Sequence, residues 1–598
     1  MPTYHSDLSL AAVLLAFALA QPVSSATPLL RGGAAPPFRV GFSSFVGGAG
    51  RDTVTGVAFA PDGSVIVAGE TTSADLPVSN AAQAMRRGQT DAFVMKISAD
   101  GSTILHATYV GGSADDRASG VAVDPAGNIY VTGVTTSLDF PVTPDAFDPE
   151  NGRFPTCVGG DCIDSFVVRI PANGGPFDYA TYLGGEHDDY AAGIAVDADG
   201  NTFVTGSTNS FGIPRDNAFE PDKKQGSEGF ITKLNSSGSD VIFSSYIGGN
   251  RGDGGTAITV TSDGGAVFAG TSFSSDFLTK NPIQAANGGG SSPETSLDGF
   301  VARVTSAGAL SWSTYLGGAG RDAIRAVAVA PNGDVVVTGT TDSSSFPTVE
   351  PLQASPGGGG DAFVTRLSPD GSTIRNSTYL GGSNADELLA VTTSAGGDII
   401  AVGLTRSPDF NVVSPVQEAC GGCVAPGFFA DAIIVRISES GTAAFATYFG
   451  ATAEESASSV AVDSEGNVAV AGHTFSAGFP VTAGSFGALC PCPPGSAENG
   501  FVTTIVPEGS NITPPVISQV VSLKHPYRMT ISGESFADGV LVYIGADPTP
   551  WPTVTVGGPT LISLGGGKSL KARFPKRVAV TIRVVNPDGG EAMTIYAR

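Results

Sequence analysis

The sequence predicts an all-β chain built mainly from seven copies of one four-stranded unit, and three observations predict it. An aromatic-turn signature recurs as SFVGG at 44, TYVGG at 108, TYLGG at 181, SYIGG at 245, TYLGG at 314, TYLGG at 378 and TYFGA at 447. Between these copies the same strand-like pieces follow in constant order. The fragments at the two ends of the repeat region are complementary. Self-similarity at so long a period marks supersecondary units that bury their apolar faces only against their neighbours. The signature aromatics Phe45, Tyr109, Tyr182, Tyr246, Tyr315, Tyr379 and Tyr448 lie 64, 73, 64, 69, 64 and 69 residues apart, so insertions vary while the unit does not.

Residues 120–185 display one unit. GVAVDPAG opens it with alternating apolar residues, NIYVTGVT follows a turn, DSFVVRI follows a long connection, and FDYATYLGG closes it. Each piece has the length and the β-branched and aromatic content of a strand. The turn between the first two strands is PDG at 61, DPAGN at 124, DADGN at 197, SDGG at 262, PNGD at 331, AGGD at 395 and DSEGN at 463. Asp, Asn and Gly supply the positive φ such a hairpin needs. DADGN and DSEGN alternate acids as calcium loops do, but both are too short for a loop ending in a bidentate Glu, so turn chemistry is the preferred reading.

Counting strand types separately predicts how the array ends. The first strand occurs seven times, holding Val57, Val121, Ile194, Ile258, Val327, Val391 and Val460, and the third also occurs seven times, ending with GFVTTI at 500–505. The first copy of the fourth strand, FSSFVGG at 42–48, precedes any first strand. It must therefore complete the last unit, whose other strands lie between about 459 and 505. Such closure removes the exposed edges of an open stack. The expectation is a closed seven-bladed β-propeller over 38–509.

The units resemble the bacterial β-propeller repeat family often called SBBP. The resemblance rests on DAFVMKI, DGFVARV and DAFVTRL, on TYVGG and TYLGG, and on GVAVDPAGN and GIAVDADGN. It implies the fold and little about function, because the family is defined by its repeat. After Asn511 the pattern changes: ISGESFADG at 531, VYIGADP at 542 and VVNPDGG at 584 resemble the IPT/TIG immunoglobulin-like domain. The segment 512–598 is expected to be a small Ig-like β-sandwich acting as a spacer.

Five residues after the first Gly of every signature stands an acid: Asp52, Asp116, Asp189, Asp253, Asp322, Asp386 and Glu455. On one reading each carboxylate accepts backbone N–H bonds and fixes its crossover loop. On the other, seven like charges at the channel rim attract a cation, calcium being the candidate, or a basic ligand. A requirement met in every unit favours the first, since ligand sites usually break symmetry. Symmetry does break in the connections between second and third strands, which reach the same face and are longer in units 2, 4, 6 and 7. These hold all six cysteines, in the close pairs Cys157 and Cys162, Cys420 and Cys423, and Cys490 and Cys492. In a secreted chain such pairs suggest local disulfides, with cross-bridges between loops 6 and 7 as the alternative. A zinc site lacks flanking His, and CGGC resembles a redox dithiol only in its spacing.

Residues 1–26 read as a secretory signal, with an apolar run from Leu8 to Ala20 and small residues Ser24 and Ala26 before the cleavage point, although no Lys or Arg precedes the run. No later run reaches the length of a membrane helix. The formal net charge of -25 argues against nucleic acid and anionic lipid partners. The Arg251-Gly252-Asp253 tripeptide is read as coincidence, because its Asp belongs to the repeat. Asn235, Asn376 and Asn511 head glycosylation sequons. Among scattered histidines without a nucleophile motif, His187 beside Asp188 and Asp189 is the one to test. The leading expectation is a secreted, periplasmic or cell-surface binding or scaffold protein, monomeric and without a cofactor, recognising an extracellular polymer, protein or glycan through its loops. The alternative is a glycan lyase or hydrolase working at the channel mouth. An asymmetric cluster of carboxylate, His and Arg there would favour the enzyme, and apolar or Tyr-lined loops would favour binding.

Overall fold

The computed structural model describes residues 38–150, 163–289, 297–423, 429–487, 498–507, 516–524, 527–534, 540–545, 549–556, 561–565, 567–575, 579–585 and 591–597. The expected leader at 1–26, the pairs Cys157/Cys162 and Cys490/Cys492, and the sequon at Asn511 lie outside the described residues.

Residues 38–507 form seven four-stranded antiparallel sheets, an arrangement consistent with a propeller. Sheet 1 consists of Asp52–Phe59, Val65–Thr71, Asp91–Ile97 and Ile104–Val110 in that order. Five more repeat it, opening with Asp116–Val123, Asp189–Val196, Asp253–Val260, Asp322–Val329 and Asp386–Thr393. Sheet 7 takes Glu455–Val462, Val468–Thr474 and Asn499–Pro507 from the end of the region and Phe38–Val46 from its beginning. Phe45 stands opposite Phe501 and Phe38 opposite Pro507, the pairing that the strand count required. No sheet closes on itself. Each first strand packs against the first strands of the sheets before and after it, and that of sheet 7 packs against that of sheet 1.

The core lies between neighbouring sheets. Ile66, Ala68 and Val94 of sheet 1 cluster with Val131, Phe166 and Val168 of sheet 2, and Phe42 and Val502 of sheet 7 with Val54 and Val67 of sheet 1. The third strand Asp91–Ile97 is buried at every position, as a strand covered on both faces must be. Every first strand carries a bulge, in sheet 1 between Val54 and Gly56. The bulge brings its backbone onto the Gly of the second strand: a Cβ at Gly69 would lie 1.9 Å from the Thr53 carbonyl oxygen, which excludes any side chain there.

Each sheet has two unlike ends. At one, which we call the crossover end, Asp52 stands opposite Thr71, and Thr71 opposite Asp91. The crossover loops and the long second-to-third connections emerge here. At the other, the hairpin end, the first two strands turn through a left-handed glycine, with φ of 79° at Gly63 and 85° at Gly466.

Beyond residue 507 there are two further sheets. One is ordered Val516–Lys524, Tyr527–Glu534, Leu561–Leu564, Val554–Val556, and the other Leu541–Ile544, Ala579–Val585, Glu591–Ala597. A short helix, Gly567–Ala572, buries Leu570 in a core with Met529, Ile531, Val542, Ile562 and Ile582. No described helix is long and apolar enough to cross a membrane.

Candidate functional site

The crossover end is built on the seven acids. Each begins a first strand and is buried, with Asp253 the most exposed at 4 %. In sheet 1 the Gly48 amide donates to Asp52 at 2.9 Å and the Ser73 hydroxyl at 2.8 Å, and the Thr71 hydroxyl holds the other oxygen. The set repeats: Gly112 and Ser137 on Asp116, Gly185 and Ser210 on Asp189, Gly249 and Ser274 on Asp253, Gly318 and Ser343 on Asp322, Gly382 and Ser407 on Asp386. Glu455 receives Ala451 and Thr474. The carboxylate oxygens thus face the loop and its hydroxyls. Burial pushes Asp52, Asp253, Asp322 and Glu455 above the usual carboxylate range, and Asp116 and Asp386 to about 6, against the pull of those hydrogen bonds.

The serine was not singled out in the sequence, yet it stands 21 residues after the acid in all seven sheets, closing the pattern Thr-x-Ser or Ser-x-Ser that ends each second strand. Its carbonyl also receives the signature hydroxyl of the same sheet: Tyr109 on Ser73 at 2.9 Å, Tyr182 on Ser137 at 2.7 Å, Tyr246 on Ser210 at 2.9 Å. Acid, serine and tyrosine therefore form one clasp tying the first, second and fourth strands. The fourth strand of sheet 7 contributes Phe45, which has no hydroxyl to offer.

A second ring of buried acids opens the third strands at Asp91, Asp164, Glu228, Asp298, Asp361 and Asp431, with Asn499 in sheet 7. These cap the loop before them. In sheet 6 the Gly421 and Gly422 amides donate to Asp431 at 2.7 and 2.9 Å, and the two glycines lie within a Cys420–Cys423 disulfide. Sheet 5 makes the equivalent bond from Gly357 to Asp361 at 2.7 Å without cysteines, so the disulfide reinforces a turn that already forms.

Onto this uniform base the crossover end places unlike side chains. Met85, Leu138, Tyr190, Phe211, Phe429 and Phe475 are exposed there, from 38 % at Tyr190 to 76 % at Met85. His187 lies edge-on to Phe211 with ring centroids 6.4 Å apart, and the Lys223 ammonium sits 4.9 Å from the same ring. Between sheets 7, 1 and 2 runs a polar chain. Arg51 meets Glu498 at 2.6 Å, the Thr53 hydroxyl donates to Glu498 at 2.9 Å, and Arg117 meets Glu70 at 3.2 Å. Nδ1 of His473 is 3.8 Å from Glu498. Burial holds the imidazole below its ordinary pKa against the pull of Glu498 and Glu454, keeping it neutral near pH 7. Arg51 and Arg117 remain exposed. The chain bridges the seam at which the two ends of the repeat region meet.

Other expectations are placed plainly. Asp253 of the Arg-Gly-Asp tripeptide is buried, so the tripeptide is not displayed as a unit. Nδ2 of Asn376 donates to the Glu350 carbonyl at 2.8 Å. Asn235 lies in a turn, its side-chain Oδ1 receiving the Ser239 amide at 3.0 Å.

Residues 107–141 and 178–212 match the SBBP beta-propeller repeat family. No curated protein matches the chain. Among solved structures, a protein of unknown function from Dyadobacter fermentans is similar at 12 % identity and a TM-score of 0.38, covering 79 % of this chain and 100 % of its own. A fungal alcohol oxidase of the AA5 family, in complex with copper, is similar at 13 % and 0.31, covering 80 % and 96 %. Sqt1 from Chaetomium thermophilum is similar at 12 % and 0.33, covering 83 % and 97 %.

Proposed function

We propose that the seven sheets are the blades of a closed propeller in a secreted, periplasmic or cell-surface protein, that the two C-terminal sheets form an Ig-like spacer, and that the crossover end recognises an extracellular protein. One observation carries the recognition reading: six large apolar side chains exposed at that end among the described residues, Met85, Leu138, Tyr190, Phe211, Phe429 and Phe475. Aromatic and Met side chains at the end that also exposes Arg51 and Arg117 have the composition of a protein interface, and all but Tyr190 stand on loops held by a rigid base. A protein partner fits these aliphatic and phenyl surfaces better than a glycan does, because four of the six carry no polar atom beyond the backbone and Met85 adds only a thioether. The leader-like residues 1–26 and the Cys420–Cys423 disulfide support an oxidising location.

The test is an array of extracellular proteins and glycans probed with the full chain, repeated with Leu138→Ser, Phe211→Ser and Phe475→Ser combined. A protein hit weakened roughly thirtyfold or more in the triple variant at unchanged thermal stability is the expected result, since one hot-spot aromatic is worth ~2 kcal/mol. A hit indifferent to the triple variant overturns the reading. The enzyme alternative keeps one specific observation, the neutral His473 beside Glu498 and Arg51, a set suited to proton abstraction next to an anionic group. Polysaccharide turnover abolished by His473→Gln would replace the binding reading with it.

A further inference from the structure

The hairpin end obeys a charge rule that fails once. The sixth residue of the third strand is Lys96, Arg169, Lys233, Arg303, Arg366 and Arg436 in sheets 1 to 6, and Thr504 in sheet 7. In four sheets this cation reaches the acid of its own hairpin turn: Lys96 to Asp62 at 2.9 Å, Lys233 to Asp197 at 3.0 Å, Arg303 to Asp263 at 2.7 Å and Arg436 to Asp398 at 2.5 Å. In sheet 5 the turn acid Asp334 takes Arg375 instead, at 2.8 Å, and in sheet 2 Arg169 goes to Asp178 at 3.5 Å while Asp124 accepts from Ala126, Asn128 and Tyr130. Sheet 7 keeps the acid, Asp463, and lacks the cation. Among the described residues Asp463 is held only by the Glu465 and Asn467 amides, at 2.9 and 2.8 Å, and by the Asn467 side chain at 2.7 Å. Thr504 accepts from the Phe42 amide.

A cavity of about 810 Å³ lies at this place. Asp463 and Thr504 both line it, with Asp124 and Asp197 from sheets 2 and 3 and the apolar flanks of Val123, Val196 and Val462. No lysine or arginine lines it. The volume suits a side chain and part of its backbone, the walls suit an aliphatic stem, and the acids suit its charged head. Five of the other hairpin turns show what such an acid takes when a cation is within reach.

We propose that this cavity binds a peptide segment bearing one exposed Lys or Arg, whose cation takes the place against Asp463 that the third-strand Lys or Arg takes in four of the other sheets. The binding requires nothing of the crossover end.

The experiment measures binding of fluorescein-labelled tripeptides with leucine on either side of a central Arg, Lys or Glu to the full chain by anisotropy, with unlabelled spermidine as competitor. Two variants are compared with the parent. Asp463→Asn keeps the oxygen that the turn amides need and removes the charge, and Thr504→Lys supplies the missing cation from the chain itself. The Arg and Lys peptides are expected to bind saturably and the Glu peptide not, with affinity at least about tenfold weaker in both variants. Thr504→Lys should also melt no lower than the parent, which separates loss of the site from loss of the fold. Equal affinity in parent and variants, or binding by the Glu peptide, overturns the proposal. Spermidine displacing the peptide completely at lower concentration than the unlabelled peptide itself also overturns it, because the site would then take free polyamines.

Discussion

The two ends of the sheets handle carboxylates in opposite ways. At the crossover end fourteen positions, the acids opening first strands and the residues opening third strands, are sealed from water, and acids such as Asp52, Asp91, Asp298 and Asp361 accept from amides, hydroxyls and the Gln side chains of the loops. At the hairpin end the turn acids mostly meet a Lys or Arg. Burial against neutral donors raises a carboxyl's pKa, whereas a cation and several donors at a partly wet turn lower it. The crossover end therefore supplies a rigid base of buried, hydrogen-bonded carboxyls on which exposed rings can be displayed, and the hairpin end is an electrostatic surface where, among the described residues, Asp124 and Asp463 meet no Lys or Arg and both face a cavity.

The largest expected effect is at the clasp. Asp322→Ala leaves the Gly318 amide and the Thr341 and Ser343 hydroxyls without their acceptor in the interior, and should cost about 3–5 kcal/mol in chemical denaturation of the full chain. Lys233→Ala tests whether the hairpin end is uniformly weaker. Lys233 and Asp197 are only 5 % and 7 % exposed, so removing the cation strands a nearly buried carboxylate at a cost of about 3 kcal/mol. A loss below about 1 kcal/mol for Asp322→Ala would break the comparison at its stronger side.

How much of this was legible in the sequence follows from where each signal lies. The acid at its fixed offset could be read from a single alignment column, because it belongs to the crossover loop whose length never changes. Ser73 and its six counterparts occupy an equally constant column but were passed over, since serine near a strand end carries no distinctive chemistry until the fold brings it between Asp52 and Tyr109. The substitution of Thr504 for a cation was also present in the sequence. Its meaning depended on Asp463 and the cavity wall, which come from different strands and sheets. The exposed rings were the least legible: Phe166 is buried and Phe211 exposed, and only packing distinguishes them.

Acidity should separate the two ends in one titration. Asp116, Asp298 and Asp386 are raised to about 6 and Glu228 to about 7, with burial the first cause in each. A raised folded pKa means that the folded state holds protons the unfolded chain has released, so stability falls as pH climbs from about 4 to about 7. Asp124 and Asp197 at the hairpin end move the other way. Burial opposes the shift, but hydrogen bonds from Asn128 and from Asn201 with Lys233 outweigh it, so their contribution is lost only as pH falls below about 4. The melting temperature of the full chain should therefore be highest near pH 4–5, and Asp386→Asn should flatten the alkaline limb while leaving the acid limb in place. A maximum at pH 7–8 would mean that the crossover carboxylates do not hold protons in the folded state.

The smallest effect expected is at Arg303 and Asp263. Their geometry is good at 2.7 Å, yet Asp263 is 59 % exposed, and an exposed ion pair contributes under about 1 kcal/mol because water screens it and two side chains must be ordered. Arg303 also donates to the Pro369 carbonyl at 3.1 Å, so Arg303→Met alone would mix the two contacts. A double-mutant cycle with Asp263→Asn isolates the pair, and its coupling should fall further in 0.5 M salt. Coupling above about 2 kcal/mol would place this exposed turn on the same footing as Asp197 and Lys233. Bound cations at the hairpin end would then be worth far more than water-screened pairs allow, and the unmatched Asp463 would be a correspondingly stronger site for a Lys or Arg from outside the chain.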